Sequence, residues 1–178
     1  LLFLLYNHPK VLKKLIVEIK EIYLQTDINN QSKVIRNMPY LRKCIMELLR
    51  LNNPVVSMMR TLNRDYTFMN DDKVYKKGEQ FLILLNPVLR DPDVFELPNQ
   101  FIPERWNSKL EEKYHAISFS KGPQECPGKD IAIYIVGSFI VQYFIKKGII
   151  NNPTKLQTKK TNIKNLPQMI NPFGLYFN

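Results

Sequence analysis

The sequence predicts a mainly α-helical protein with a small β-sheet. Three observations support this fold class: candidate helices near the N-terminus, short alternating segments in the middle of the chain, and a long apolar stretch towards the C-terminus. Helical and two-residue periodicities distinguish these two kinds of element. With 178 residues, 44% of them hydrophobic, the chain can form one cooperative unit with a sizeable core.

The elements follow in a definite order. The first five residues resemble the end of a helix, and helices are predicted at residues 9–25, 39–51 and 129–146. The second of these is supported by an apolar stripe of Leu41, Cys44, Ile45 and Leu48. Short strands are predicted at residues 58–62, 66–70, 74–75 and 80–85, with turns at 70–72 and 77–78. The proline-containing tail from residue 153 predicts irregular or hairpin structure.

Composition excludes several classes of protein. The net charge is +10, but the lysine doublets are spread along the chain without a nucleic-acid-binding motif, so we predict no nucleic-acid partner. The longest apolar stretch, residues 131–145, is shorter than the roughly 20 residues that a bilayer requires and contains Gln142. We therefore predict a buried helix and no transmembrane segment. Two cysteines do not suggest a disulfide framework, and Cys44 is predicted to fill the core.

The segment of residues 119–128, here called the cysteine loop, has the sequence Phe-Ser-Lys-Gly-Pro-Gln-Glu-Cys-Pro-Gly. Cys126 is predicted to lie where this loop becomes a helix, with Pro127 at the first helical position. Free N–H groups and the helix dipole at such a position favour an anionic sulfur. A small buried cysteine at a loop-helix junction is the alternative interpretation.

Two further motifs precede the cysteine loop. Glu47 and Arg50 lie three residues apart, on one face of the predicted helix at 39–51. The segment of residues 101–106, Phe-Ile-Pro-Glu-Arg-Trp, supplies Arg105. An exposed Glu/Arg pair at this spacing is common and contributes only about 0.2–0.5 kcal/mol, so the pair alone does not indicate a function.

In this order, the two motifs and the cysteine loop resemble the cytochrome P-450 family. The resemblance spans about residues 8–147, and it implies haem b with Cys126 as the axial ligand of its iron. It implies that Glu47, Arg50 and Arg105 form a buried structural group behind the haem and do no chemistry. It also implies five residues that contact the cofactor: Phe119, Gly122, Gly128, Arg60 and Gln124.

Arg60 stands where the family places an arginine against a haem propionate, and a guanidinium can bind a carboxylate through two hydrogen bonds. An ordinary strand arginine is the alternative. Gln124 replaces a usual arginine two residues before the cysteine, so it can donate a hydrogen bond but supplies no charge. Ser118 replaces a usual proline. The segment before Arg60 is implied to face a lipophilic substrate: Val55, Val56, Ser57 and Met58.

The resemblance implies a monooxygenase that uses O2 and electrons from an NADPH-linked reductase or a ferredoxin. Lys121 and Lys129 flank Cys126 and would present a basic surface to an acidic electron donor, with an ordinary solvated lysine face as the alternative interpretation. Because the family's domain is much longer, residues 1–178 are expected to form one partial domain, the C-terminal haem-binding part. The remaining alternatives are a haem-thiolate isomerase or dehydratase that rearranges peroxides, and a non-catalytic remnant. An intracellular protein is implied, with membrane association through an upstream anchor left open.

Overall fold

The computed structural model describes residues 1–112 and 116–156, and in them the protein is mainly helical with one two-stranded sheet. The fold class predicted from the sequence is thus confirmed. The α-helices are α1 (Leu2–Asn7), α2 (Pro9–Glu18), α3 (Gln31–Val34), α4 (Pro39–Leu51), α5 (Leu85–Leu89), α6 (Ser108–Glu112) and α7 (Lys129–Lys146). The family resemblance also implies that residues 166–170 of the tail reach the substrate, but these residues lie outside the described part of the chain.

The helices predicted at 39–51 and 129–146 are confirmed as α4 and α7. The helix predicted at 9–25 is wrong in its second half, because α2 ends at Glu18 and a wider π-helical turn, Ile19–Tyr23, follows. The periodicity of α2 continues into that turn, where Ile19 and Tyr23 stay buried. The sequence pattern therefore reports burial correctly while missing the change in hydrogen bonding.

Strands β1 (Ser57–Thr61) and β2 (Gln80–Leu84) pair antiparallel, with Ser57 opposite Leu84 and Thr61 opposite Gln80. The two strands predicted between them are wrong, since only a single bridge joins Tyr66 to Tyr75. Asp71 explains the difference. Its carboxylate accepts the Lys73 backbone N–H at 2.9 Å and the Tyr75 hydroxyl at 2.6 Å, and such local side-chain bonds compete with strand pairing.

The main core lies where α2, α4 and α7 pack together. Gly137 of α7 permits the close approach, because a Cβ atom there would lie 3.1 Å from Ile35 and 3.2 Å from Leu41. Cys44, predicted to fill the core, is completely buried on α4. No helix in the described part of the chain is long and apolar enough to cross a bilayer.

Glu18 connects the end of α2 to the start of α4. Its carboxylate accepts the backbone N–H of Tyr40 at 2.6 Å and that of Leu41 at 2.8 Å. These are first-turn amides that lack a partner within the helix. Burial raises the pKa of the Glu18 carboxyl, and the two amide hydrogen bonds oppose that rise. A side chain from a different helix thus caps α4.

Glu18→Gln is expected to lower the free energy of unfolding by about 1–2 kcal/mol, because an amide offers one acceptor oxygen in place of two. Urea unfolding followed by far-UV circular dichroism measures the change. Glu21→Gln removes the same charge from an exposed neighbour and should stay within about 0.5 kcal/mol of the parent. Equal effects of the two substitutions would contradict a capping role.

Candidate functional site

The cysteine loop is closed on itself by backbone hydrogen bonds. The Cys126 N–H donates to the Phe119 carbonyl at 2.9 Å, and the Glu125 N–H donates to the Gly122 carbonyl at 3.0 Å. Gly122 has φ +74°, a conformation that glycine adopts without steric cost. The Phe119 ring packs on a small buried cluster formed by Met46, Trp106 and Ala116. The loop is therefore anchored to the core at its first residue and to itself at its cysteine.

Helix α7 begins at Lys129, with Gly128 as the residue that precedes the first turn. The prediction that Pro127 occupies the first helical position is therefore wrong by two residues. A separate turn, in which the Lys129 N–H meets the Cys126 carbonyl at 3.3 Å, comes before the helix. The Cys126 carbonyl thus accepts a hydrogen bond in this turn, and Cys126 itself lies three residues before the first residue of α7.

The Cys126 side chain is exposed, in contrast to the buried Cys44. A Cβ atom on Gly128 would lie 3.8 Å from the Cys126 sulfur, which is an ordinary contact distance. An open depression of about 390 Å³ beside the thiol is lined mainly by charged and polar side chains: Arg42, Glu125, Cys126, Pro127, Lys129 and Asp130. The sulfur is accessible to a ligand and is not enclosed in hydrocarbon.

Both lysines near the cysteine are engaged with neighbouring groups. Lys129 pairs with Glu125 at 2.8 Å, and this hydrogen bond lowers the pKa of the Glu125 carboxyl. Lys121 donates to the Glu111 carbonyl at 2.5 Å. The positive charge of Lys129 is thus partly neutralised by the Glu125 carboxylate, whereas Lys121 donates to a neutral backbone carbonyl and keeps its full charge in that contact.

Arg60 of β1 reaches the cysteine loop. Its guanidinium donates to the Ser120 hydroxyl at 2.6 Å and to the Met59 carbonyl at 2.9 Å. A second link comes from Asn53, whose side-chain amide donates to the Ser118 carbonyl at 3.2 Å. Gln124, the other polar residue predicted to be near the cofactor, is exposed on the same loop.

The segment predicted to face the substrate begins before β1 and continues into that strand. Val55 is 48% exposed, and Val56 and Ser57 are partly exposed. Met58 packs against the buried cluster of α5 and Ile117, so much of its side chain is occupied by the core. Of the four residues, Val55 is the most accessible.

Behind the cysteine loop, Glu47 is completely buried and accepts hydrogen bonds from four residues. Arg50 binds both of its oxygens at 2.9 Å. The Arg105 guanidinium and the Ile102 N–H each approach at 3.0 Å, and the Trp106 indole N–H lies 2.8 Å away. The structure thus brings together the three residues predicted to form a structural group.

The two arginines also hold the irregular segment that leads from α5 to Trp106. Arg50, itself fully buried, donates to the carbonyls of Leu89, Pro98 and Gln100 at 2.8, 2.6 and 3.1 Å. Arg105 donates to the carbonyls of Glu96 and Leu97 at 2.8 and 3.3 Å. Because each guanidinium carries five N–H donors, one side chain can satisfy several loop carbonyls at once.

Sequence reasoning missed Trp106 and the Ile102 N–H as partners of Glu47. The role of Trp106 could have been predicted from the sequence, because this residue follows Arg105 directly and a buried indole N–H normally needs an acceptor. The role of the Ile102 N–H could not have been predicted, because nearly every residue carries a backbone N–H that can donate. Ser120 was missed as the partner of Arg60 for a related reason: the two residues lie 60 positions apart in the chain.

The chain belongs to the cytochrome P-450 family, whose model, described as Cytochrome P450 (here P-450), matches residues 1–146. It is 35% identical over 153 residues to cytochrome P-450 81F4 of Arabidopsis thaliana, covering 80% of this chain and 30% of that protein. It is 32% identical over 130 residues to cytochrome P-450 monooxygenase BOT1 of Botryotinia fuckeliana, covering 73% of this chain and 26% of that protein.

A crystal structure of the cytochrome P-450DA heme domain has a similar fold. The TM-score is 0.67 at 22% identity, and the match covers 79% of this chain and 31% of the other. The chain spans about a quarter to a third of the length of the curated relatives it matches. The family and the fold are thus established for this chain.

Proposed function

We propose that residues 1–178 form the C-terminal haem-binding part of a cytochrome P-450 monooxygenase, with Cys126 as the axial ligand of haem b. The observation that carries the proposal is the accessible thiol on a loop anchored to the core at Phe119. Thiolate sulfur is the ligand that this class of haem protein uses. Family membership supports the cofactor, and the name of the Botryotinia relative supports the reaction.

Residues of β1 and of the cysteine loop fit a porphyrin carboxylate as well as the iron. Arg60 projects to the loop that carries Cys126, and a guanidinium pairs strongly with a carboxylate. Gln124 adds a neutral donor, and Phe119, Gly122 and Gly128 shape the loop around the sulfur. When bound, haem would supply the iron, and the electron density donated by a thiolate ligand would favour cleavage of the O–O bond. This chain's own residues would bind the cofactor and fix its orientation.

By the same family resemblance, we propose a class of substrate, an oxidant and a source of electrons. The substrate is a lipophilic small molecule that Val55, Val56, Ser57 and Met58 help to contact, O2 is the oxidant, and an NADPH-linked reductase or a ferredoxin supplies the electrons. The buried group of Glu47, Arg50 and Arg105 keeps the scaffold behind the loop rigid, so it acts on stability and not on chemistry.

The Cys126→Ser substitution tests the ligand. We expect the full chain, expressed with haem, to show the Soret band of a thiolate-bound carbon-monoxide complex after reduction, and the substitution to abolish that band. Cys44→Ala is the matched control, because it removes the other, buried cysteine and should leave the band in place. A chain that takes up no haem would favour the non-catalytic remnant, and a thiolate band that survives Cys126→Ser would exclude Cys126 as the ligand.

A further inference from the structure

The contact between Arg60 and Ser120 links the sheet to the cysteine loop through one short hydrogen bond. The guanidinium donates to the Ser120 hydroxyl at 2.6 Å and, through its other terminal nitrogen, to the Met59 carbonyl at 2.9 Å. The first nitrogen also lies 3.5 Å from the Met58 sulfur. Three partners therefore define the plane of the guanidinium, and no hydrogen bond within residues 1–112 and 116–156 uses its other N–H groups, which could meet an incoming anion.

Ser120 adopts an unusual backbone conformation, with φ +66°. Side-chain-bearing residues seldom adopt positive φ, and glycine would do so without cost. The Ser120 N–H bonds to the Ile117 carbonyl at 2.9 Å, which holds the residue in this conformation. The hydroxyl is thus present at a place where the backbone alone would favour glycine. Strained residues that persist beside a binding site suggest a functional hypothesis.

From these contacts we infer that Ser120 is a positioning residue, which holds the Arg60 guanidinium in the orientation that receives a carboxylate of the cofactor. The inference rests on the proposed function. It has particular weight in this chain because Gln124 supplies no charge to the same loop. A guanidinium held in advance loses less rotamer freedom on binding, so the hydroxyl contributes to affinity without touching the cofactor.

Haem titration of four forms of the full chain tests this role: the parent, Ser120→Gly, Arg60→Leu and the double variant. Soret absorbance gives the dissociation constant of each form. We expect Ser120→Gly to weaken binding by about tenfold in the parent and by less than about twofold in the Arg60→Leu background, since its effect passes through Arg60. Glycine suits the positive φ, so the loop should keep its conformation.

Ser120→Asn is the conservative control, because asparagine tolerates positive φ and keeps an acceptor oxygen. It should bind haem within about threefold of the parent. An unchanged affinity of Ser120→Gly, or an equal loss with and without Arg60, would overturn the positioning role. If the parent takes up no haem, the proposed function itself fails, and the inference falls with it. Haem uptake without coupling between the two residues overturns the inference alone.

Discussion

Glu47→Gln is expected to lower the free energy of unfolding by about 3–5 kcal/mol, because it breaks a buried ion pair by removing one of its partners. Glutamine has nearly the same shape, so the change removes the negative charge with little change in volume. Arg50, which is 0% exposed, would remain buried without its counter-ion. The glutamine NH2 group would also point at one of the donors that now share the carboxylate.

The measurement is urea unfolding of both forms, followed by far-UV circular dichroism. Glu104→Gln is the matched control: Glu104 also pairs with a cation, Lys14, and accepts the Tyr40 hydroxyl, but the Lys14 and Glu104 side chains are 59% and 43% exposed. Exposed pairs contribute about 0–1 kcal/mol, so this variant should change stability little. Similar decreases in the free energy of unfolding of the two variants would show that burial does not determine how much the ion pairs of Glu47 contribute to stability.

Trp106→Ala is expected to cost about 3–5 kcal/mol, because it empties the space of the largest completely buried side chain. Trp106→Phe separates the two contributions of this residue. It keeps most of the ring but removes the indole N–H that donates to Glu47 at 2.8 Å, and a buried acceptor that loses a donor costs about 1–3 kcal/mol. The phenylalanine variant should therefore fall between the parent and the alanine variant.

Circular dichroism is the suitable probe here too, since Trp106 is the single tryptophan and its fluorescence is lost in both variants. Phe3→Ala controls for removal of an aromatic ring, because Phe3 is 50% exposed on α1 and should contribute less than about 1 kcal/mol. A Trp106→Phe variant as stable as the parent would show that the indole hydrogen bond adds no net stability.

These two residues connect the structural group to the proposed haem site. Trp106 donates to Glu47 on one side and belongs to the cluster on which Phe119 packs. Loss of either side chain should loosen the first residue of the cysteine loop as well as the core. Haem affinity is therefore expected to fall in parallel with stability, whereas Cys126→Ser should remove thiolate ligation with little loss of stability, because the Cys126 side chain is exposed.

Local patterns in the sequence were enough to predict much of the fold. The apolar stripe predicts α4 with its observed bounds, and the long apolar run predicts α7. The hydrogen-bonded strands β1 and β2 lie within one residue of their predicted bounds. The failures came where a side chain competes with the backbone, as Asp71 does between the strands, or where the helical hydrogen-bond pattern changes, as it does after Glu18.

The amino-acid sequence by itself determined the family, the cysteine that we propose as ligand, and the residues of the buried ion-pair group. It could do so because each motif is a short segment with fixed internal spacing, and the order of the motifs resembles the family; Arg105, 58 residues from Glu47, was assigned through that resemblance alone. Only the tertiary structure showed three further contacts. Glu18 accepts a backbone N–H at the start of α4, Glu47 accepts the indole N–H of Trp106, and Ser120 accepts an N–H of Arg60. These partners lie 23, 59 and 60 residues apart, and local periodicity carries no information about side chains that meet only when separate elements pack.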